Sequence, residues 1–225
     1  MLTDTAFLRF KMKFDLVIFD LDGTLTDTLE DLKNSVNYAL SEFGFPERSL
    51  DEVRSFVGNG VRRLIYLSVP ESTSEETAEK CLGVFKAYYK EHSLVKTKPY
   101  DGIVPMLCEL RNRGVKTAVV TNKMQEAAKD IVRIFFDGLV DMTVGQVDGV
   151  AQKPEPDGIN LVLSTLGVSK EKAVYVGDSE VDCITAKNAK VACVGVTWGF
   201  RDKSVLVENG ADFIIDSPEE LIKVG

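Results

Sequence analysis

Residues 19–28 read FDLDGTLTDT and close a short apolar run, Leu16, Val17, Ile18 and Phe19. Two carboxylates, Asp20 and Asp22, stand where the run ends. Like charges so close repel unless something neutralises them. An unbroken apolar run of this length reads as a strand buried on both faces, which places it inside a parallel sheet. Similar runs recur as DLVIFD (15–20), VKTAVVT (115–121), AVYVGD (173–178) and VACVGV (191–196), with weaker ones at MTV (142–144) and FII (213–215). Helical patterns alternate with them. Ile103, Met106, Leu107 and Leu110 follow i, i+3, i+4, i+7 spacing, as do Ile159, Val162, Leu163 and Leu166. The expected fold is therefore α/β, with a Rossmann-like parallel sheet core.

More than ninety residues without a good strand signal separate the first two strong runs, well beyond a usual crossover. Within them Leu29, Leu32, Val36, Ala39, Leu40 and Phe43 form one amphipathic stripe. Ala78, Cys81, Leu82, Phe85, Tyr88 and His92 form another, which makes His92 a packed residue rather than a ligand. The expectation is a small α-helical cap domain over residues 27–95, inserted into a discontinuous core made of residues 1–26 and 96–225. Residues 1–11, ahead of Met12, read as an extension before the first strand.

Composition narrows the function. The chain has 225 residues, is 44% hydrophobic and carries a formal charge of -8, which argues against coating nucleic acid or an anionic membrane. An enzyme of small molecules fits better. Cys81, Cys108, Cys183 and Cys193 show no C-x-x-C spacing and read as reduced thiols in a cytoplasmic protein. The N-terminal segment lacks the apolar stretch of a signal peptide, and no stretch is long and apolar enough to span a bilayer.

In an open parallel sheet the ligand lies beyond the carboxyl ends of the strands. That rule gathers Asp20 and Asp22, Thr121 and Asn122, and Asp178 with Asp182, while Lys153 comes from the loop QKPEP. Three carboxylates at one place call for a divalent cation, and a donor set of oxygens alone indicates Mg²⁺. A lysine and a threonine hydroxyl beside it make a receptor for a phosphoryl group. One aspartate can then attack phosphorus while the other moves a proton. Taken singly, each residue has a plainer reading. Asp178 and Asp182 fit a helix N-cap and first-turn acid, Thr121 a strand end, and Lys153 and Lys123 solvated charges.

Taken together and in order, DLDGTLTD (20–27), TNK (121–123), KPEP (153–156) and GDSEVD (177–182) resemble the haloacid dehalogenase superfamily. The resemblance implies Asp20 as nucleophile and metal ligand. It implies Asp22 as acid/base that also lends its carbonyl to Mg²⁺, Thr121 and Lys153 as phosphate-binding, and Asp178 and Asp182 as metal-site residues, while Asn122 helps hold the phosphate or shapes the turn. Finer matches, VGNGVRRL (57–64), PYDGI (99–103), TAKNA (185–189), VTWGF (196–200) and ADFIIDSPEEL (211–221), are similar to the phosphoglycolate phosphatase branch. Lys190 stands where that branch often has Gly. The implied activity is Mg²⁺-dependent hydrolysis of a small phosphate monoester, 2-phosphoglycolate first, through an aspartyl phosphate. Substrate choice would lie with Gly58, Asn59, Gly60 and Arg62 in the cap. The alternatives are a sugar phosphomutase of the β-phosphoglucomutase type, a nucleotidase or pyrophosphatase on the same fold, and, last, a receiver-type regulatory domain.

Overall fold

The computed structural model describes residues 13–224, so the extension over residues 1–11 lies outside the described residues. The strands are β1 (Leu16–Phe19), β2 (Thr26–Asp27), β3 (Lys98–Pro99), β4 (Lys116–Met124), β5 (Met142–Gln146), β6 (Ala173–Gly177), β7 (Ala192–Val196) and β8 (Phe213–Ile215). Six of them form one sheet in the order β5-β4-β1-β6-β7-β8, every pairing parallel. All four residues of β1 are buried. Val17 and Phe19 point into one apolar cluster and Leu16 and Ile18 into the other, as a strand of period two between two layers must.

Helices α5 (Ile103–Asn112) and α6 (Gln125–Phe135) cover the first face through Ile103, Met106, Leu107, Leu110, Ala128 and Ile131. The second face is covered by α7 (Asp157–Leu166), α8 (Glu180–Ala189) and α9 (Lys203–Glu208), through Ile159, Val162, Leu163, Cys183, Ala186, Ala189 and Leu206. From β1 the chain goes to β4 and β5 on one side and later returns to β6, β7 and β8 on the other. The carboxyl end of β1 is thus the topological switch point, where open α/β sheets bind ligands.

Between β1 and α5 the chain makes an antiparallel pair of short strands, Thr26 opposite Pro99 and Asp27 opposite Lys98. Beyond that pair lie α1 (Leu29–Ser41), α2 (Leu50–Phe56), α3 (Gly60–Ser68) and α4 (Glu75–His92), packed around a third apolar cluster. Asp31, buried in the first turn of α1, accepts hydrogen bonds from the amides of Lys96 and Thr97 and from the Thr97 hydroxyl. The two ends of the helical segment are thereby tied together.

One stripe differs from expectation. On α4 the buried aromatic after Phe85 is Tyr89, not Tyr88. A helical face advances by four as readily as by three, and Ala78, Cys81, Leu82, Phe85 and Tyr89 share one side. Tyr88 instead stacks between Tyr38 and His92 at the edge of that face, with centroids 3.9 and 3.8 Å away.

Lys190 ends α8 at φ 60°, and among the described residues it alone adopts a positive φ without being glycine. Lys190→Gly is expected to stabilise the protein by about 1 kcal/mol, since the left-handed conformation crowds a Cβ. Denaturant unfolding checks this, and a destabilised variant would contradict it.

Candidate active site

Asp20 directly follows β1, and its amide donates to the Val176 carbonyl of β6 at 2.9 Å, which fixes it between the two strands. Its carboxylate is buried, with Lys153 Nζ 2.9 Å from Oδ1 but not along a hydrogen-bond direction. Burial pushes the Asp20 carboxyl up to about 6, the Lys153 charge only partly opposing that shift. Asp178 follows β6, where burial first, and then the charges of Asp182 and Asp20, raise its carboxyl well above the usual range. Thr24 Oγ1 donates to Asp178 Oδ1 at 2.9 Å and the Phe200 amide to Oδ2 at 2.8 Å. Gly199 lets this carboxylate sit where it does, since a Cβ there would fall 2.2 Å from Asp178 Cβ and 2.5 Å from the Gly23 carbonyl.

Asp182, on the first turn of α8, has no solvent exposure. Its Oδ1 accepts from Lys153 Nζ at 2.8 Å and from the Tyr175 hydroxyl at 3.2 Å. Its Oδ2 accepts from the amides of Asp178 and Ser179 and from the Ser179 hydroxyl. Oxygens of Asp20, Asp178 and Asp182 lie within 4.8 Å of one another. Because both Asp182 oxygens are so fully engaged, Asp20 and Asp178 are the better direct ligands, and Asp182 holds Lys153 and the α8 terminus behind them.

These residues fit a divalent cation. Three buried carboxylates cluster, one ammonium pairs with two of them, the donors are all oxygen, and Asp20 Oδ1 takes no hydrogen bond.

Lys153 is buried against Asp20, Asp182 and the Tyr175 hydroxyl, the last 3.1 Å away. Burial alone would lower its pKa, and the charges of Asp182 and Asp20 outweigh that and raise it. Tyr175 was not foreseen as a partner; its hydroxyl also donates to the Val120 carbonyl. The available signal was a polar-tipped aromatic inside an otherwise aliphatic buried strand, AVYVG.

Thr121, buried, lies where the β4–β5 ladder loses register between Val120 and Met124. It lines the cavity formed with Asp20, Asp22 and Asp178. Asn122 also lines the cavity, and its side chain shapes the turn. Its side chain donates to the carbonyls of Gly58 and Lys153 and accepts from the Lys153 amide. It therefore braces the lysine loop and touches the helical segment, with no side-chain group left for an anion.

The helical segment closes this cavity with Val57, Gly58, Gly60, Val61, Leu64 and Tyr89. Gly58 and Gly60 adopt φ of 125° and 79°, which suit glycine alone, and the chain then enters α3 with no side chain capping its N-terminus. The first-turn amides of α3 have no intrahelical acceptors and carry the positive end of the helix dipole. Asn59, the N-cap, is not among the lining residues.

Arg62 does not reach the cavity. It is 60% exposed, lies 3.4 Å from Glu75 and 3.0 Å from Glu79, and covers the Tyr66 ring. Its neighbour Val61 and the following Leu64 take the inner face of α3, which turns Arg62 outward. The guanidinium that lines the cavity is Arg201, which ion-pairs with Glu180 at 2.9 Å and donates to the carbonyls of Arg54 and Val57. Lys123, expected at the surface, is buried with its ammonium 2.9 Å from Asp22 Oδ1 and 2.5 Å from the Tyr89 hydroxyl. Burial alone would lower its pKa, but the Asp22 charge and Tyr89 raise it. Trp198 packs beside the core and donates to the Thr24 carbonyl at 3.0 Å.

Fold and site together define an α/β phosphatase built on carboxylates at the ends of parallel strands. The chain belongs to the haloacid dehalogenase-like hydrolase family, whose sequence profile matches residues 17–196. It is 34% identical to a phosphoglycolate phosphatase of Aquifex aeolicus over 210 residues, which span 93% of this chain and 95% of that one. Phosphoglycolate phosphatase 1 of Pseudomonas aeruginosa is 33% identical over 92% of this chain and 78% of its own length. The crystal structure of a candidate phosphoglycolate phosphatase from Lactobacillus delbrueckii subsp. bulgaricus superposes with a TM-score of 0.90 at 35% identity, covering 94% of this chain and 98% of that one. Among the described residues no helix is long and apolar enough to cross a membrane.

Proposed function

We propose that the protein hydrolyses 2-phosphoglycolate with Mg²⁺ through an aspartyl phosphate on Asp20. The observation that carries this reading is a cavity between the strand ends and the helical segment, with complementary ends. One end holds Asp20, Thr121 and Asp178, and the other presents Gly58, Gly60 and the uncapped start of α3. The phosphoryl end presents the Thr121 hydroxyl, with the Lys153 ammonium beside Asp20, while the carboxylate of phosphoglycolate meets the free amides of the α3 turn. Relatives named for this same substrate support the choice over a phosphomutase or a pyrophosphatase.

In this mechanism a carboxylate oxygen of Asp20 forms a bond to phosphorus as the ester oxygen–phosphorus bond breaks. The proton of the Asp22 carboxyl goes to the departing alkoxide. Water then attacks phosphorus, its proton returns to Asp22, and the Asp20 carboxylate leaves with inorganic phosphate as the product. Asp20 and Asp178, with the Asp22 carbonyl, would hold Mg²⁺, whose charge offsets that of the carboxylates and the phosphoryl oxygens. Residues 27–95 act as a cap that excludes water during the first step. The four cysteines, all free, suit a reducing cytosol.

A steady-state screen of phosphate esters tests the substrate. Phosphoglycolate is expected to show the highest kcat/KM among phosphoglycolate, nucleoside monophosphates, pyrophosphate and hexose phosphates. A nucleotide or pyrophosphate in first place would overturn the substrate and leave the chemistry standing.

The metal has a readout in stability. The Asp20 carboxyl titrates near 6 when folded against an ordinary value of 3.8, so the folded chain holds this proton more tightly than the unfolded one. Stability of the metal-free protein therefore falls as pH rises from 3.8 to about 6. A cation bound only by the folded state reverses this. Mg²⁺ is expected to raise the thermal midpoint, and to raise it more at about pH 7 than at about pH 5. A midpoint indifferent to Mg²⁺ at both pH values would remove the case for a cation among these carboxylates.

A further inference from the structure

The Lys123 ammonium is a full charge taken out of water, its side chain 2% exposed, and it meets one carboxylate, that of Asp22. A buried ion pair contributes little to stability compared with an apolar side chain of the same size, because desolvation offsets the attraction. Fold stability alone therefore gives a weak reason for a lysine here. Its position gives a better one. Lys123 sits two residues beyond Thr121, and its own amide donates to Thr121 Oγ1 at 3.3 Å. Its ammonium donates to Oδ1 of Asp22 at 2.9 Å and to the Tyr89 hydroxyl. Tyr89 belongs to α4 of the helical segment, and its ring stacks on Phe85 at 5.3 Å. A core carboxylate, a core cation and a hydroxyl of the helical segment thus form one chain of contacts across the mouth of the site.

We propose that Lys123 is a positioning residue for Asp22, holding Oδ1 so that the other carboxyl oxygen faces the reacting phosphoryl group, and that Tyr89 completes this arrangement when the helical segment closes on the core. The inference rests on the reading of Asp22 as the acid/base. Closure would then do more than exclude water, because it would lock the group that moves the proton.

Kinetics of single and paired variants test it, on phosphoglycolate and on p-nitrophenyl phosphate, with circular dichroism confirming the fold. Lys123→Met is expected to lower kcat by roughly 10–100-fold on both esters with little change in KM, as the loss of a charge-assisted hydrogen bond implies. Lys123→Arg should recover part of that loss. Tyr89→Phe should lower kcat less, and should cost nothing further once Lys123 is Met. In an Asp22→Asn background neither substitution should lower the residual rate. A rise in KM for phosphoglycolate alone, with kcat intact, would make Lys123 a substrate-binding group and overturn the proposal. So would an undiminished cost of Lys123→Met or Tyr89→Phe in the Asp22→Asn protein. If Lys123→Met does not fold, the Tyr89→Phe comparison with and without Asp22→Asn decides the matter. A wild-type protein inactive on phosphoglycolate would sink the substrate assignment, while the variant series on p-nitrophenyl phosphate would still judge Lys123.

Discussion

Asp20→Asn is expected to leave a folded protein with less than about a hundredth of wild-type turnover, because an amide neither attacks phosphorus nor replaces a carboxylate as a cation ligand. The fold should tolerate the change. Asparagine has the same shape, and the substitution removes a buried charge whose carboxyl is already pushed up to about 6 by burial. In metal-free buffer the variant should be as stable as the wild type or more so, and its response to Mg²⁺ should be weaker. Steady-state rates and thermal midpoints with and without Mg²⁺ check both halves. Activity above about a hundredth of wild type would contradict a nucleophilic Asp20.

Lys153→Met should be damaging in two ways at once. Its ammonium lies 2.9 Å from Asp20 and 2.8 Å from Asp182, so removing it leaves two buried carboxylates facing each other. Breaking a buried pair in this way costs about 3–5 kcal/mol. In the proposed mechanism the phosphoryl group also loses the Lys153 donor, a loss typically worth about 10²–10³-fold in kcat. Denaturant unfolding in EDTA reads the first effect, and turnover with saturating Mg²⁺ reads the second. Full stability combined with full activity would mean that Lys153 is a bystander to both carboxylates.

The sequence carried the sheet and the four strand-end motifs because both are local. Unbroken apolar runs such as LVIF and AVYVG mark strands buried on two faces, and the polar residues directly after them must lie at the strand ends. The long gap after β1 likewise announced a helical insertion. What it hid are contacts made by long side chains across the fold. Lys123 sits next to polar residues and carries no periodic signal, so only the approach of Asp22 and Tyr89 shows it to be buried. Arg62 and Arg201 look alike as single letters. The helical face of α3 turns the first outward, and the loop after β7 brings the second into the cavity. Asn122 could hold the phosphate or shape the turn on sequence alone, and the carbonyls of Gly58 and Lys153 that occupy its side-chain amide favour the second role.

Asp22→Asn should slow the return of Asp20 to its free state, since the base that accepts the water proton is gone. The most direct test of the account is therefore to mix this variant with p-nitrophenyl phosphate, whose leaving group departs without a proton, and Mg²⁺, quench in acid within one turnover, and map peptides by mass spectrometry. One phosphoryl group on Asp20, removed by hydroxylamine and missing from a protein that also carries Asp20→Asn, is the predicted result. Release of phosphate during that turnover with no phosphoryl group on the protein, or with the group on another residue, would contradict it.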